Sequence, residues 1–199
     1  MQRFSAPVLP CFWRRPLRFL LLFIALTLIP ASAYTDSGTA NNQISDIKTA
    51  FVVNIARFVH WPRQASDNNQ LQLCMYRGGE GFQASMPLRG QVIAGRNVHI
   101  AYIDELSNVK DCSILVIPGS EVGRFGEDFL PLWRHQPILT ILDLTASTQG
   151  GSAYAGIMVS LVRKGSKIGF EINLDEVHNA GLKMSSELLK LATLVKGDN

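Results

Sequence analysis

Apolar side chains recur at Ile44, Ile47, Phe51, Ile55 and Phe58, with Val52 and Val59 widening the stripe. That spacing has a 3.6-residue period and predicts a helix with one buried face. Pro62 ends it, because the residue before a proline is pushed out of helical geometry. His60-Trp61-Pro62 is therefore expected at the helix end, partly exposed. After a polar turn at 64–70, residues 71–76 (LQLCMY) read as a first strand, broken by Gly78-Gly79-Glu80-Gly81. A short helix is expected near 82–86. Strands follow at 91–93 and 97–103, with Gly95-Arg96 as the turn between them. Residues 112–117 form a short apolar run closed by Pro118-Gly119, the pattern of a buried strand. A helix over 121–133 comes next, weakened by Gly123 and Gly126, then another apolar strand at 138–144.

Residues 145–151 (TASTQGG) read as a loop. The runs 158–162 and 167–174 flank Arg163-Lys164-Gly165-Ser166 and predict a β-hairpin. A short helix is expected at 175–180. Ser185-Ser186-Glu187 caps a final helix whose apolar positions are Leu188, Leu189, Leu191, Ala192 and Val195. Strand and helix patterns alternate through the first two-thirds, and a hairpin and helix close the chain. The expected fold is α/β: a single domain with a mixed, mostly parallel sheet flanked by helices, Rossmann-like in outline. There is no internal repeat.

The N-terminus follows a different logic. Arg3, Arg14, Arg15 and Arg18 precede an uncharged run at 19–29 (FLLLFIALTLI), and Ala31-Ser32-Ala33 supplies small residues for cleavage. Basic, then apolar, then A-x-A is the order of a secretory signal. The run is too short to cross a bilayer, which takes about 20 residues, and Pro30 ends it. Residues 1–33 are thus expected to be a signal peptide cleaved at Ala33-Tyr34, 34–43 a flexible lead-in, and 44–199 the folded domain.

Removing that leader changes the charge. All four of its charged residues are Arg, so 19 basic residues become 15 against 16 acidic ones. The basic pI belongs largely to the leader, and no basic patch remains to argue for nucleic acid. Three cysteines become two, Cys74 and Cys112. In an oxidising compartment two cysteines can pair. Two buried free thiols are the other reading, whereas a metal site lacks His or Cys neighbours at ligand spacing.

Little in the chain asks for catalysis. His60, His99, His135 and His178 are scattered, and no G-x-S-x-G, H-E-x-x-H or phosphate-binding loop is present. No catalytic, cofactor-binding or metal-ligating residue is assigned. Small molecules bind open α/β sheets beyond the carboxyl ends of the strands, which here makes Arg77, Gly78, Gly79 and Ser120 weak ligand candidates, with Pro118, Gly119 and Asp143 nearby. Trp61, Trp133 and Tyr154 fall at helix ends or in a loop, where an aromatic can anchor a partner. Local packing under a loop is the competing role for each.

Several segments taken in order resemble the YfiR-like family of periplasmic proteins. They are Lys48-Thr49-Ala50-Phe51 through Asn54, Arg57-Phe58-Val59, Trp61-Pro62, Leu73-Cys74, Gly95-Arg96 and Cys112-Ser113-Ile114-Leu115, then Phe170-Glu171-Ile172-Asn173 and the run from Gly181 to Ala192. The resemblance implies a periplasmic negative regulator, not an enzyme. Its partner would be the periplasmic sensor region of an inner-membrane diguanylate cyclase, with membrane contact only through that partner. Cyclic-di-GMP would stay low, limiting exopolysaccharide and biofilm. Cys74 and Cys112 match a recurrent disulfide of the family. A second pair, carried by some members near 145–154, has no counterpart here, so redox switching through it is not implied. The family tends to dimerise, which leaves a homodimer open. The alternative function is a periplasmic small-molecule-binding sensor module of unknown output.

Overall fold

A computed structural model describes residues 37–62, 69–76, 90–124, 130–147 and 154–197. The expected leader at 1–33, the short helix near 82–86 and the ligand candidates Arg77, Gly78 and Gly79 lie outside the described residues.

Helix α1 (Ser37–Arg57) spans most of the predicted stripe and buries Val52, Val53, Ile55 and Ala56, while Ile47, expected on the buried face, is 48% exposed. The helix begins well ahead of Ile44, so residues 37–43 are helical where a flexible lead-in was expected. Once a helix is nucleated, each added residue gains a hydrogen bond for little further cost. Strands β1 (Val59–His60), β2 (Gln70–Tyr76), β3 (Val92–Ile93) and β4 (Arg96–Ile103) follow. The turn between β3 and β4 is Ala94-Gly95, one residue earlier than expected. Both carry positive φ, 50° and 77°, as a two-residue hairpin turn of type I′ requires.

A 3₁₀ turn (Leu106–Asp111) leads to β5 (Ile114–Pro118). The helix expected over 121–133 is instead a 3₁₀ turn (Gly119–Arg124) and a single helical turn, α2 (Leu130–Trp133), with 125–129 outside the described residues. Gly123 disfavours α-helix over the first of these residues. Strand β6 (Leu139–Asp143) is fully buried along its length. Strands β7 (Val159–Lys164) and β8 (Lys167–Asn173) form the predicted hairpin about Gly165-Ser166, with Gly165 at φ 63°. Helix α3 (Leu174–Asn179), strand β9 (Lys183–Met184), helix α4 (Ser186–Leu191) and strand β10 (Thr193–Val195) complete the chain. Ser185 caps α4 by accepting from the Leu188 N–H, as expected. The helix ends sooner than its apolar pattern suggests, because Thr193 to Val195 pair with β8 as a sheet edge.

Eight strands make one sheet in the order β10-β8-β7-β6-β5-β2-β4-β3, and β1 and β9 form a separate two-stranded ribbon. Neighbours from β7 through β4 run parallel, while β3 and β8 are antiparallel to β4 and β7. Alternation along the strands divides the core by face. Leu73, Met75, Ile114, Val116, Leu139 and Ile141 meet α1 and α4. Cys74, Leu115, Ile117 and Leu142 meet Trp133, Val109 and Ile157 on the other side. The result is an α/β domain with a mostly parallel sheet flanked by helices.

At the carboxyl end of β6, Asp143 is almost fully buried. Its Oδ2 accepts from Lys48 Nζ of α1 at 2.8 Å, and its Oδ1 accepts from the Thr145 N–H and hydroxyl at 3.0 and 2.6 Å. Arg163 then donates to the Thr145 carbonyl at 3.0 Å. The neighbouring β5 end is equally tight. A Cβ on Gly119 would stand 2.5 Å from the Asp143 carbonyl oxygen and 3.2 Å from Leu144 Cδ2. Gly119→Ala is therefore expected to lower unfolding free energy by about 1–3 kcal/mol, the usual cost of overpacking. Urea denaturation reads this directly; an unchanged midpoint would contradict the close approach.

Candidate functional site: a cationic groove beside the disulfide

The cavity described first lies away from the carboxyl ends of β5 and β6. Pro118 and Asp143 are packed there, and Ser120 sits exposed on the 3₁₀ turn after β5. Parallel strands β4, β5 and β6 begin at the opposite edge, and a groove of about 340 Å³ opens across their amino ends. His60, Trp61, Arg96, Lys110, Cys112 and Gln136 contribute to its walls.

Each wall residue is placed by a local feature. Trp61 follows β1, which pairs antiparallel with β9 (Val59 opposite Met184). That ribbon holds the chain after α1 against the sheet, and the indole Nε1–H donates to the Ser113 carbonyl at 3.4 Å. Arg96 leaves the tight Ala94-Gly95 turn as the first residue of β4. Its guanidinium carbon lies 5.0 Å from the Trp61 ring centre, within range of a cation–π contact. Partial burial pushes the Arg96 guanidinium below its ordinary value, since desolvation disfavours a charge. No carboxylate pairs with Arg96 among the described residues. Lys110 adds a second cation, and no Asp or Glu among the described residues lines the groove. The arrangement is chemically suited to holding an anion or an acidic side chain against an aromatic face.

Cys112 forms part of the wall and is bonded to Cys74, with the Cα atoms 5.7 Å apart, inside the range that a disulfide spans. Cys74 lies mid-strand on β2. Cys112 lies two residues before β5, the strand paired beside β2. The bond thus fixes the start of β5, and with it Ser113, the acceptor of the Trp61 indole.

The other aromatic candidates sit differently. Trp133, expected at an exposed helix end, is 1% exposed and donates its Nε1–H to the Gly156 carbonyl at 3.1 Å. It is a core residue, because α2 is pressed against the sheet. Tyr154 is half-buried against the same core. The four histidines are all exposed. No group of three or more His, Cys, Asp or Glu among the described residues is placed to hold a metal, and no helix among them is long and apolar enough to cross a membrane. Arg96 and Lys110 were not singled out as site residues from sequence. Only the strand register brings them beside Trp61, although Gly95-Arg96 already marked the turn.

The YfiR/HmsC-like family profile matches residues 45–193, from the first turns of the amphipathic stripe to β10. The chain belongs to that family. The matched span takes in Trp61, Arg96, Lys110 and both cysteines, so the groove and its disulfide lie wholly within the YfiR/HmsC-like domain.

Reduction of the Cys74–Cys112 bond should lower stability by about 4 kcal/mol on the chain-entropy account of a loop of this length. Thermal denaturation with and without reductant measures it. A midpoint indifferent to reductant would argue that the bond constrains nothing.

Proposed function

We propose that this chain is a periplasmic regulatory protein that binds and represses the periplasmic sensor region of an inner-membrane diguanylate cyclase. By doing so it lowers cyclic-di-GMP and, with it, exopolysaccharide and biofilm output. Membership of the YfiR/HmsC-like family over residues 45–193 carries this reading. Regulation of this kind needs only differential binding: a protein that prefers the inactive sensor state shifts the population by the difference in its affinities. Taking a cyclase from almost wholly active to almost wholly inactive needs about 5.5 kcal/mol of such preference.

The groove supplies a plausible contact surface for that work. Trp61 offers a large amphipathic anchor and Arg96 a guanidinium, residue types that dominate binding hot spots, and Lys110 adds charge with no competing acid among the described residues. An acidic segment of the sensor region is the complementary partner. A second reading, a small-molecule sensor module, is favoured by the same groove being concave and of ligand size.

Deleting the gene should raise cyclic-di-GMP and matrix production, and restoring an Arg96→Glu variant should fail to bring them down. Pull-down from solubilised membranes should recover a cyclase with the wild-type protein and lose it with the variant, whose unfolding midpoint stays close to wild type. Unchanged cyclic-di-GMP after deletion would overturn the regulatory reading, whereas full complementation by Arg96→Glu would remove the groove from it.

A further inference from the structure

Strand β10 ends the sheet beyond β8, so one side of its backbone has no strand partner among the described residues. Two large apolar side chains project at this corner. Leu191, the last residue of α4, is 74% exposed, and Leu194, in the middle of β10, is 53% exposed. Only the helix-to-strand junction separates them. A lone exposed leucine is ordinary; the surroundings of this pair are not.

Lysines frame the two leucines. Lys190 and Lys196 flank them in sequence and are exposed. Lys164, the last residue of β7, reaches the same corner across β8. Its stem lies over Gly169, where an added Cβ would stand 3.4 Å from Lys164 Cδ, and its Nζ donates to the Thr193 hydroxyl of β10 at 2.7 Å. The ammonium thus comes to rest one residue from Leu194, on a neutral partner. Lys167 stands directly opposite Lys164 in the hairpin register, although like charges so placed destabilise a strand pair.

The acids on the adjoining elements are Glu171, Asp175 and Glu187. Glu171, paired in register with Thr193, is turned into the protein and its Oε2 is buried. No Asp or Glu occurs between Leu188 and Gly197. Four exposed lysines therefore outweigh the two exposed acids.

We propose that this corner binds the surface of an anionic lipid bilayer. Leu191 and Leu194 enter the headgroup boundary, and the lysines rest on lipid phosphates. The residue types favour lipid over protein. Leucine is under-represented among binding hot spots and lysine is depleted at protein interfaces. At a bilayer, a lysine lays its alkyl stem along apolar surface and lifts its ammonium to the phosphates. A second copy of the chain is disfavoured by the same lysines, since pairing edge to edge would set positive charge against positive charge. Lys164 and Lys167 lie at the carboxyl end of β7, whereas the Trp61 groove opens at the amino ends of strands parallel to it, so lipid contact leaves the groove open. This contact is direct, not relayed by a cyclase, and it stands whether or not the chain regulates one.

Co-sedimentation tests it, using the exported protein with its mature N-terminus confirmed by mass spectrometry. The vesicles are equal parts phosphatidylglycerol and phosphatidylcholine, or phosphatidylcholine alone. The protein should pellet with the anionic vesicles and stay in solution with the neutral ones. Roughly half-molar salt should release it, because screening shortens the reach of surface charge. Each lysine near an anionic surface strengthens attachment about fivefold, so Lys167→Gln combined with Lys190→Gln should weaken binding about tenfold or more. Leu191→Ser combined with Leu194→Ser should also weaken it about tenfold or more. All four positions are exposed, so the melting curves should stay close to wild type. Equal pelleting with neutral vesicles, no pelleting with either, or double variants that pellet like wild type would each overturn the inference. So would a concentration-dependent dimer in sedimentation velocity that Leu194→Asp dissolves, which would assign the edge to a second copy.

Discussion

The fold depends on the burial of β5 and β6 on both faces. Every residue of Ile114–Pro118 and Leu139–Asp143 is shielded from water, so neither face of the sheet centre can be left open. Backbone groups are satisfied by parallel neighbours, and the side chains alternate between two covers. One cover is α1, which brings long apolar residues and a periodic stripe. The other has no long helix among the described residues. It is assembled from a 3₁₀ turn, the disulfide, a single helical turn and the buried Trp133. A cover built of such short pieces gains little from helix propagation. The crosslink and the Trp133 indole hydrogen bond to Gly156 help to hold it in place.

That asymmetry explains where the open surfaces lie. At the carboxyl ends of β5 and β6 the Lys48–Asp143–Thr145 contacts and the close approach of Gly119 draw the chain together. Removing one partner of a buried pair like Lys48–Asp143 usually costs about 3–5 kcal/mol, so these contacts serve stability. At the amino ends the connecting segments arrive as turns, and gaps remain between them. Arg134 and His135 face a second cavity at the start of α3, while Gln136 to Ile138 face the groove. The usual placement of ligands in doubly wound sheets presumes helix amino termini at the carboxyl edge, and here the turn after β5 is 3₁₀.

Much of the architecture was legible in sequence because the relevant signals are local. The Ile44-to-Phe58 stripe, the alternation in 71–76, the apolar runs before Pro118 and around Leu139, the Gly165 turn and the Ser185 cap each specify their element within a few residues. What escaped were features set by distant partners. Strand β10 carries helix-compatible residues and becomes a strand because β8 offers an edge. The β1–β9 ribbon is two residues on each side and has no periodicity to read. Trp133 and Trp61 look alike in sequence, each near a predicted helix end. One is pressed into the core by the sheet beneath it, and the other is held at the surface by a ribbon formed with residues more than a hundred positions away.

The candidate groove was only half legible for the same reason. Trp61 was visible as an aromatic at a helix end and Cys112 as one of two cysteines, but the cations were not. Arg96 and Lys110 are ordinary basic residues in a chain whose basic and acidic residues nearly balance once the expected leader is set aside. Their significance comes from sharing a wall with no acid among the described residues, which is a property of register and not of composition. A guanidinium in that position, partly desolvated and stacked on an indole without a carboxylate, is less well solvated than one free in water. It therefore loses less hydration when an acidic group arrives and gains a stronger interaction in the drier setting. Preorganisation of this sort lets a binding protein act without catalytic machinery: the fold has already met part of the cost of stripping water from Arg96.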